Sequence, residues 1–240
     1  DMPKQVDINL VAETKTIRPY NLKLKECTVA LQDFLRNFWS QSGGFRSVEW
    51  NDMSMPDSTL NSIANFATLL SSLRGVIKFY GIPYEGLTYK EVEIEAPHRA
   101  MAILTNLARG RALINGRAQI ADEDLPILFN IVLSSCHRDR SKVIKEFIRS
   151  GGASLDTHSI SRLLEVGSSY AYRTVEDLKS LGLVWSSSES SGQWGRPSSH
   201  LTLSEQFKWL LDPPIREIFS QIDPGSEPLA RPSDEIELPI

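Results

Sequence analysis

The side chains able to do covalent or metal chemistry in this chain are few and scattered. Histidines stand at His98, His137, His158 and His200, and cysteines at Cys27 and Cys136. Cys136 and His137 are adjacent, but a zinc centre needs a second ligand pair at suitable spacing, and none follows. The serines between positions 186 and 199 lack the histidine and carboxylate context that activates a hydroxyl, so they read as linker. No G-x-x-x-x-G-K-S/T run occurs, and no apolar strand ends in the Asp-Glu pair that would hold magnesium. Without a phosphate cradle and a metal ligand, ATP hydrolysis by the usual route is not expected of this chain. It reads as no enzyme and as holding no cofactor of its own. The remaining chemistry is contact with anions through arginine, a fixed charge with a forked set of donors.

The elements that would position such contacts are clearest in residues 154–204. Asp156 or Thr157 can cap a short helix whose Ile160, Leu163 and Leu164 share one face. Val166, Gly167 and Ser168 break the pattern, with Gly167 suited to a left-handed helix end and Ser168 to the next cap. A second helix then turns Ala171, Val175, Leu178 and Leu181 inward and stops at Gly182. Two helices joined by a short glycine-containing turn make a helix-turn-helix. Residues 183–185 and 200–203 read as strands, with the Ser/Gly-rich loop holding Trp194 and Arg196 between them.

This stretch resembles the winged-helix family, through YRTVEDLKSLGLV and GRPSSHLTLS in particular. The resemblance implies duplex DNA as ligand, with the second helix in the major groove. Ser169, Tyr170, Tyr172 and Arg173 are then the contacting residues, and Arg196 on the wing reaches backbone or minor groove. Winged helices also serve as protein-docking units, and charge gives that alternative weight. Residues 154–211 carry five basic side chains against six acidic ones, a net −1. Phosphate contacts supply much of DNA affinity, so this charge implies weak or assisted binding. Glu176 and Asp177 lie on the same helix and repel phosphate if they face it.

The middle of the chain resembles the helical lid of AAA+ ATPases, in the MoxR-like and minichromosome-maintenance branches. The residues that carry this are Pro97-His98-Arg99-Ala100, then Ala108 and Ala112, Gly116-Arg117, and Asp122-Glu123-Asp124-Leu125. His98 is an insertion relative to the usual Pro-Arg. The resemblance implies that Arg99 is the sensor arginine that reaches a nucleotide's γ-phosphate from the lid; otherwise Arg99 is a solvated or salt-bridged surface residue. Arg109, Arg111 and Arg117 read as solvated faces of the lid helix. Either a nucleotide-binding domain, with ATP and magnesium, precedes Asp1, or the lid has become a scaffold; Asp1 opens the chain without an initiating methionine, which favours the first expectation. A winged helix directly after a lid is similar to archaeal origin-recognition ATPases.

The fold class expected is mainly α: an AAA+-type helical lid bundle followed by a winged helix-turn-helix with a small β-hairpin wing. The domains run 1–56 (extended segment and first helix), 57–150 (lid), 151–211 (winged helix) and 212–240 (short helix and acidic, Pro-rich tail). Helices are expected over 26–41, from Asp57 or Ser58 to Gly75, from Pro97 to Gly116, from Ala121 onward and over 140–150. In the second of these Leu60, Ile63, Ala64, Ala67, Leu70 and Leu73 point inward; in the third Met101, Leu104, Leu107 and Ala108 do. Short strands are expected at 45–50 and 92–94, and Ser204 caps a helix to Leu211 before another over 215–222. The remainder, from Asp223, reads as a mobile tail. No run approaches the ~20 apolar residues of a membrane span, and two distant cysteines give no disulfide framework, which suits a reducing cytoplasm. The function expected is the C-terminal regulatory portion of an ATPase whose winged helix engages DNA, with assembly through the ATPase domain. The alternative is an adaptor whose winged helix docks a protein or its own ATPase domain. A stand-alone transcription regulator is a third reading, without a ligand constellation to support it.

Overall fold

A computed structural model describes residues 20–41, 55–80, 89–117, 119–189 and 198–224. The chain divides into two units, Asp1–Asp52 and Met53–Ile240. In the first, α1 spans Tyr20–Gln41 and begins a full turn and more before the position that its apolar spacing indicates. Leu24, Val29, Leu31, Phe34 and Trp39 on it are exposed, and the Phe34 and Phe38 rings stack 6.3 Å apart. The extended opening, the strand expected over 45–50, the loop with Trp194 and Arg196, and the tail beyond 224 lie outside the described residues.

The second unit is mainly helical. It opens with α2 (Asp57–Arg74), a hairpin of β1 (Val76–Tyr80) and β2 (Tyr89–Glu93), α3 (His98–Ile114), a 3-10 turn (Asp122–Asp124) and α4 (Leu125–Ser134). On α2 the buried line is Thr59, Ile63, Phe66, Leu70 and Leu73, which repeats every three or four residues. Leu60 and Ala64, expected inward, sit on its flank and are exposed. On α3 the buried line is Leu104, Ala108 and Ala112, so Leu107 turns outward and Met101 is half-buried. The small side chains Ala108 and Ala112 occupy the face that packs on α2, and they rotate the larger Leu107 into solvent. Strand β1 follows the helix stop at Gly75 directly and pairs antiparallel with β2, from Val76 opposite Glu93 to Tyr80 opposite Tyr89. It was not legible as a strand. Its partner covers the expected 92–94 only in part.

Helix α5 spans Arg138–Arg149, two residues earlier than expected, because the His137 ring caps it: Nδ1 accepts from the Asp139 N–H at 3.4 Å. Then come α6 (Thr157–Leu164), α7 (Ser168–Ser180), β3 (Val184–Glu189) and β4 (Ser198–Leu203). Asp156 caps α6 by accepting from the Ser159 N–H at 2.7 Å. Burial alone would push the Asp156 carboxyl up, but the Ser159 hydrogen bonds and the nearby His158 and His200 hold it below its ordinary value. Leu155 pairs with Leu201 through backbone bonds of 3.0 and 2.8 Å, which ties the start of α6 to the β3–β4 hairpin. Ile160, Leu164, Ala171, Val175, Leu178, Leu183, Leu201 and Leu203 fill the space between helices and hairpin.

The turn between α6 and α7 departs from expectation in one respect. Gly167 has φ −67° and is the extended N-cap of α7, while Glu165 takes the left-handed conformation at φ 58°. The helix end thus falls two residues earlier, where the N–H groups of Glu165 and Val166 close onto Arg162 and Ser161. A residue with a Cβ pays a steric cost there of about 1 kcal/mol. Glu165→Gly is therefore expected to raise stability by about 0.5 kcal/mol, the strain relieved exceeding the added chain entropy. Urea unfolding at fixed m-value checks this, and a destabilised variant would show that the Glu165 side chain is needed.

After β4 the chain returns to the helical bundle. A 3-10 segment (Glu205–Leu211) and α8 (Pro213–Ile222) place Trp209 5.8 Å from Phe66, and Phe219 edge-on to Phe129 at 6.4 Å. Ser204 takes the expected N-cap position, though of a 3-10 segment, and its hydroxyl makes no cap bond but donates to the Gly182 carbonyl at 2.6 Å. Arg149 joins the far end, paired with both Glu146 and Asp223. These contacts make the helical bundle, the α6–α7 pair and its hairpin one compact unit.

Candidate nucleic-acid interface

Helix α7 buries Ala171, Thr174, Val175 and Leu178 and leaves Ser168, Ser169, Tyr170, Tyr172 and Arg173 exposed. Four of the five residues expected to contact DNA therefore share the N-terminal half of one helix. Arg196 lies outside the described residues. Tyr172 is open, 59% exposed. Tyr170 is 44% exposed and anchored, its hydroxyl donating to Asp139 Oδ2 at 2.7 Å. That bond, with partial burial and the charges of Asp139 and Asp177, pushes the phenol above its ordinary value, so Tyr170 donates at any neutral pH. Gly167 offers no side-chain cap, so the first turn of α7 keeps its N–H groups free of side-chain acceptors.

The acids of α7 are engaged elsewhere. Glu176 pairs with Lys179 at 2.8 Å, and Asp177 approaches Arg140 at 3.9 Å. Arg140 also donates to the carbonyls of Leu73 and Gly75 at 2.9 and 2.7 Å, which fixes the end of α2 against α5 and α7. Gly75 sits so close to Leu181 that a Cβ there would come within 2.4 Å of Cδ2. Lys90 of β2 donates to the Glu176 carbonyl at 3.3 Å. Helix α7 is thus held by the bundle on one side. Between the first turn of α5 and α7 lies an open cleft of about 180 Å³, lined by His137, Asp139, Arg140, Tyr170, Arg173, Thr174 and Asp177.

Arg99 lies in the first turn of α3, 79% exposed, with its guanidinium 3.6 Å from the Glu95 carboxylate. Arg111 and Arg117, read as solvated, instead converge on a carboxylate that the sequence hid. Asp124 is fully buried and accepts both terminal nitrogens of Arg117 at 2.9 and 2.7 Å and the Ala121 N–H at 3.0 Å. Arg111 Nε stands 3.2 Å from the same carboxylate, and Arg117 Nε 2.6 Å from Glu123. Beside it, buried Thr59 donates to Asp122 at 2.6 Å. Burial would push the Asp124 carboxyl up; the Arg117 fork, the Ala121 N–H and the two guanidinium charges outweigh it and hold the carboxyl below its ordinary value. This cluster ties α2 and α3 to the start of α4 and does no evident chemistry.

Trp185 at the base of the hairpin is 69% exposed, on the face away from the core. Among the described residues no group of three or more potential ligands could hold a metal, and no helix is long and apolar enough to cross a membrane. Compared with known proteins, the chain matches no family model, no curated protein and no solved structure.

Proposed function

We propose that residues 154–204 form a winged helix that engages duplex DNA through the N-terminal half of α7, within the C-terminal regulatory portion of an AAA+-type ATPase. The observation that carries this reading is the division of α7. Its exposed first half presents Ser168, Ser169, Tyr172 and Arg173 without an acid, while Glu176 and Asp177 are held by Lys179 and Arg140. The acids nearest this surface, Asp139 and Asp177, accept the Tyr170 hydroxyl and lie 3.9 Å from Arg140, respectively, which lessens the repulsion that net charge alone implies. Leu155, through a single antiparallel bridge to Leu201, joins the hairpin to its helices. In this reading α2–α4 are the lid, and Arg99 in the first turn of α3 is open to a nucleotide held by another domain.

Arg173→Ala is expected to weaken duplex binding and to reduce the slope of log affinity against log salt by about 0.9, one phosphate contact. Glu176→Gln is expected to strengthen binding slightly. Titrating a labelled duplex at two salt concentrations checks both. Equal, salt-independent binding by wild type and Arg173→Ala removes the DNA reading. Trp185 favours the second reading, an adaptor that docks a protein, since exposed tryptophan is a common anchor of protein interfaces. Trp185→Ala then abolishes partner capture and leaves duplex binding unchanged.

A further inference from the structure

The helix-turn-helix carries a net −1, yet the helix beside it is strongly basic. α5 reads RDRSKVIKEFIR, five cations against two acids in 12 residues. Arg138, Lys142, Lys145 and Arg149 recur at i, i+4, i+7 and i+11, so they form one stripe along the helix. Arg149 is occupied by Glu146 and Asp223. Arg138 is exposed and Lys142 and Lys145 half-buried, and these three have no ion-pair partner among the described residues. The two acids of α5 do not neutralise the stripe: Asp139 accepts the Tyr170 hydroxyl, and Glu146 is buried against Arg149. The stripe starts at the end of α5 where His137 and Asp139 line the cleft with Tyr170 and Arg173, and it runs along the solvent-facing side of the helix, about 100° round from Asp139.

We propose that Arg138, Lys142 and Lys145 are the phosphate-contacting flank of the interface, their ligand being the sugar–phosphate backbone beside the groove that α7 enters. This rests on the DNA reading above and adds to it a surface on a different helix. From Arg138 to Lys145 the helix axis advances ~10 Å. That length matches about three phosphate steps of one strand, at about 3.4 Å of duplex axis each. Asp139, bound to Tyr170, fixes the distance between the flank and α7. The arrangement resolves the charge deficit of residues 154–211, since the cations that affinity requires stand just before them in sequence.

The test compares wild type, Arg173→Ala, Lys142→Gln/Lys145→Gln and Lys142→Arg/Lys145→Arg on one fluorescent duplex between 50 and 200 mM salt. Wild-type affinity is expected to fall steeply over that range. Losing two phosphate contacts makes the fall about tenfold smaller for the glutamine pair, and the arginine pair retains the wild-type slope. Circular dichroism confirms that both pairs fold. If wild type and Arg173→Ala differ while the glutamine pair binds like wild type, the flank is overturned and the DNA reading stands. If the arginine pair loses slope like the glutamine pair, charge is not the cause and the flank is overturned. If wild type shows no salt-sensitive binding, both fall; retention on an acidic protein surface instead of duplex is that same outcome.

Discussion

Asp124→Ala is expected to lower the free energy of unfolding by about 3 kcal/mol, at the low end of what breaking a buried ion pair costs. The carboxylate has no access to solvent, and its removal leaves the Arg117 fork facing a cavity with its Ala121 partner also unpaired. The low end applies because Arg111 and Arg117 are part-exposed and recover some hydration. The pH dependence gives the sign. The folded-state carboxyl lies below its ordinary value, so its contribution is fully present above the unfolded pKa of about 3.9 and is lost as pH falls through the folded value. Asp124→Asn keeps the shape and removes the charge. The gap between wild type and Asp124→Asn should therefore close as pH is lowered below about 4. A gap that stays constant from neutral pH down to acid would show that Asp124 acts by packing alone.

Phe66→Ala is expected to cost about 4 kcal/mol, the range for truncating a fully buried aromatic. Phe66 is inaccessible to solvent, stacks on Phe129 at 4.8 Å and meets Trp209 at 5.8 Å. Through those rings α2, α4 and the segment after the hairpin share one core. The variant should thus unfold as a single cooperative transition at lower denaturant, with the m-value unchanged. Two separated transitions, with α6, α7 and their hairpin unfolding independently, would contradict the single-core description.

The local elements were legible where sequence spacing and punctuation agree. Asp156, Gly116 and Gly182 mark helix ends as read, with Gly116 and Gly182 at positive φ. α7 turns Ala171, Val175 and Leu178 inward because apolar residues at that spacing allow one orientation. Where two orientations were available, as for Leu107 on α3, the choice fell to tertiary packing against α2, which no single helix records. The Asp124 cluster was hidden for a related reason. An acid at a helix start and an arginine on a helix face each satisfy local rules, and only the approach of α3 to α4 makes them partners. The strand β1 was obscured because Gly75 reads as a helix stop, and pairing with β2 depends on residues well outside its own stretch, the nearest pair being Tyr80 and Tyr89. Of the candidate interface, the exposure of Tyr172 and Arg173 follows from periodicity. The anchoring of Tyr170 on Asp139 and the engagement of Asp177 by Arg140 depend on α5 lying beside α7, which spacing does not show.

The most direct test of the central claim is a map of backbone amides perturbed by a short duplex, measured by NMR on the whole chain at low salt. The account predicts perturbations at residues 168–173 and along the first turn of α5 from Arg138, fading as salt is raised. Perturbations gathered instead around Trp185 and the exposed face of α3, or none at all, would contradict it.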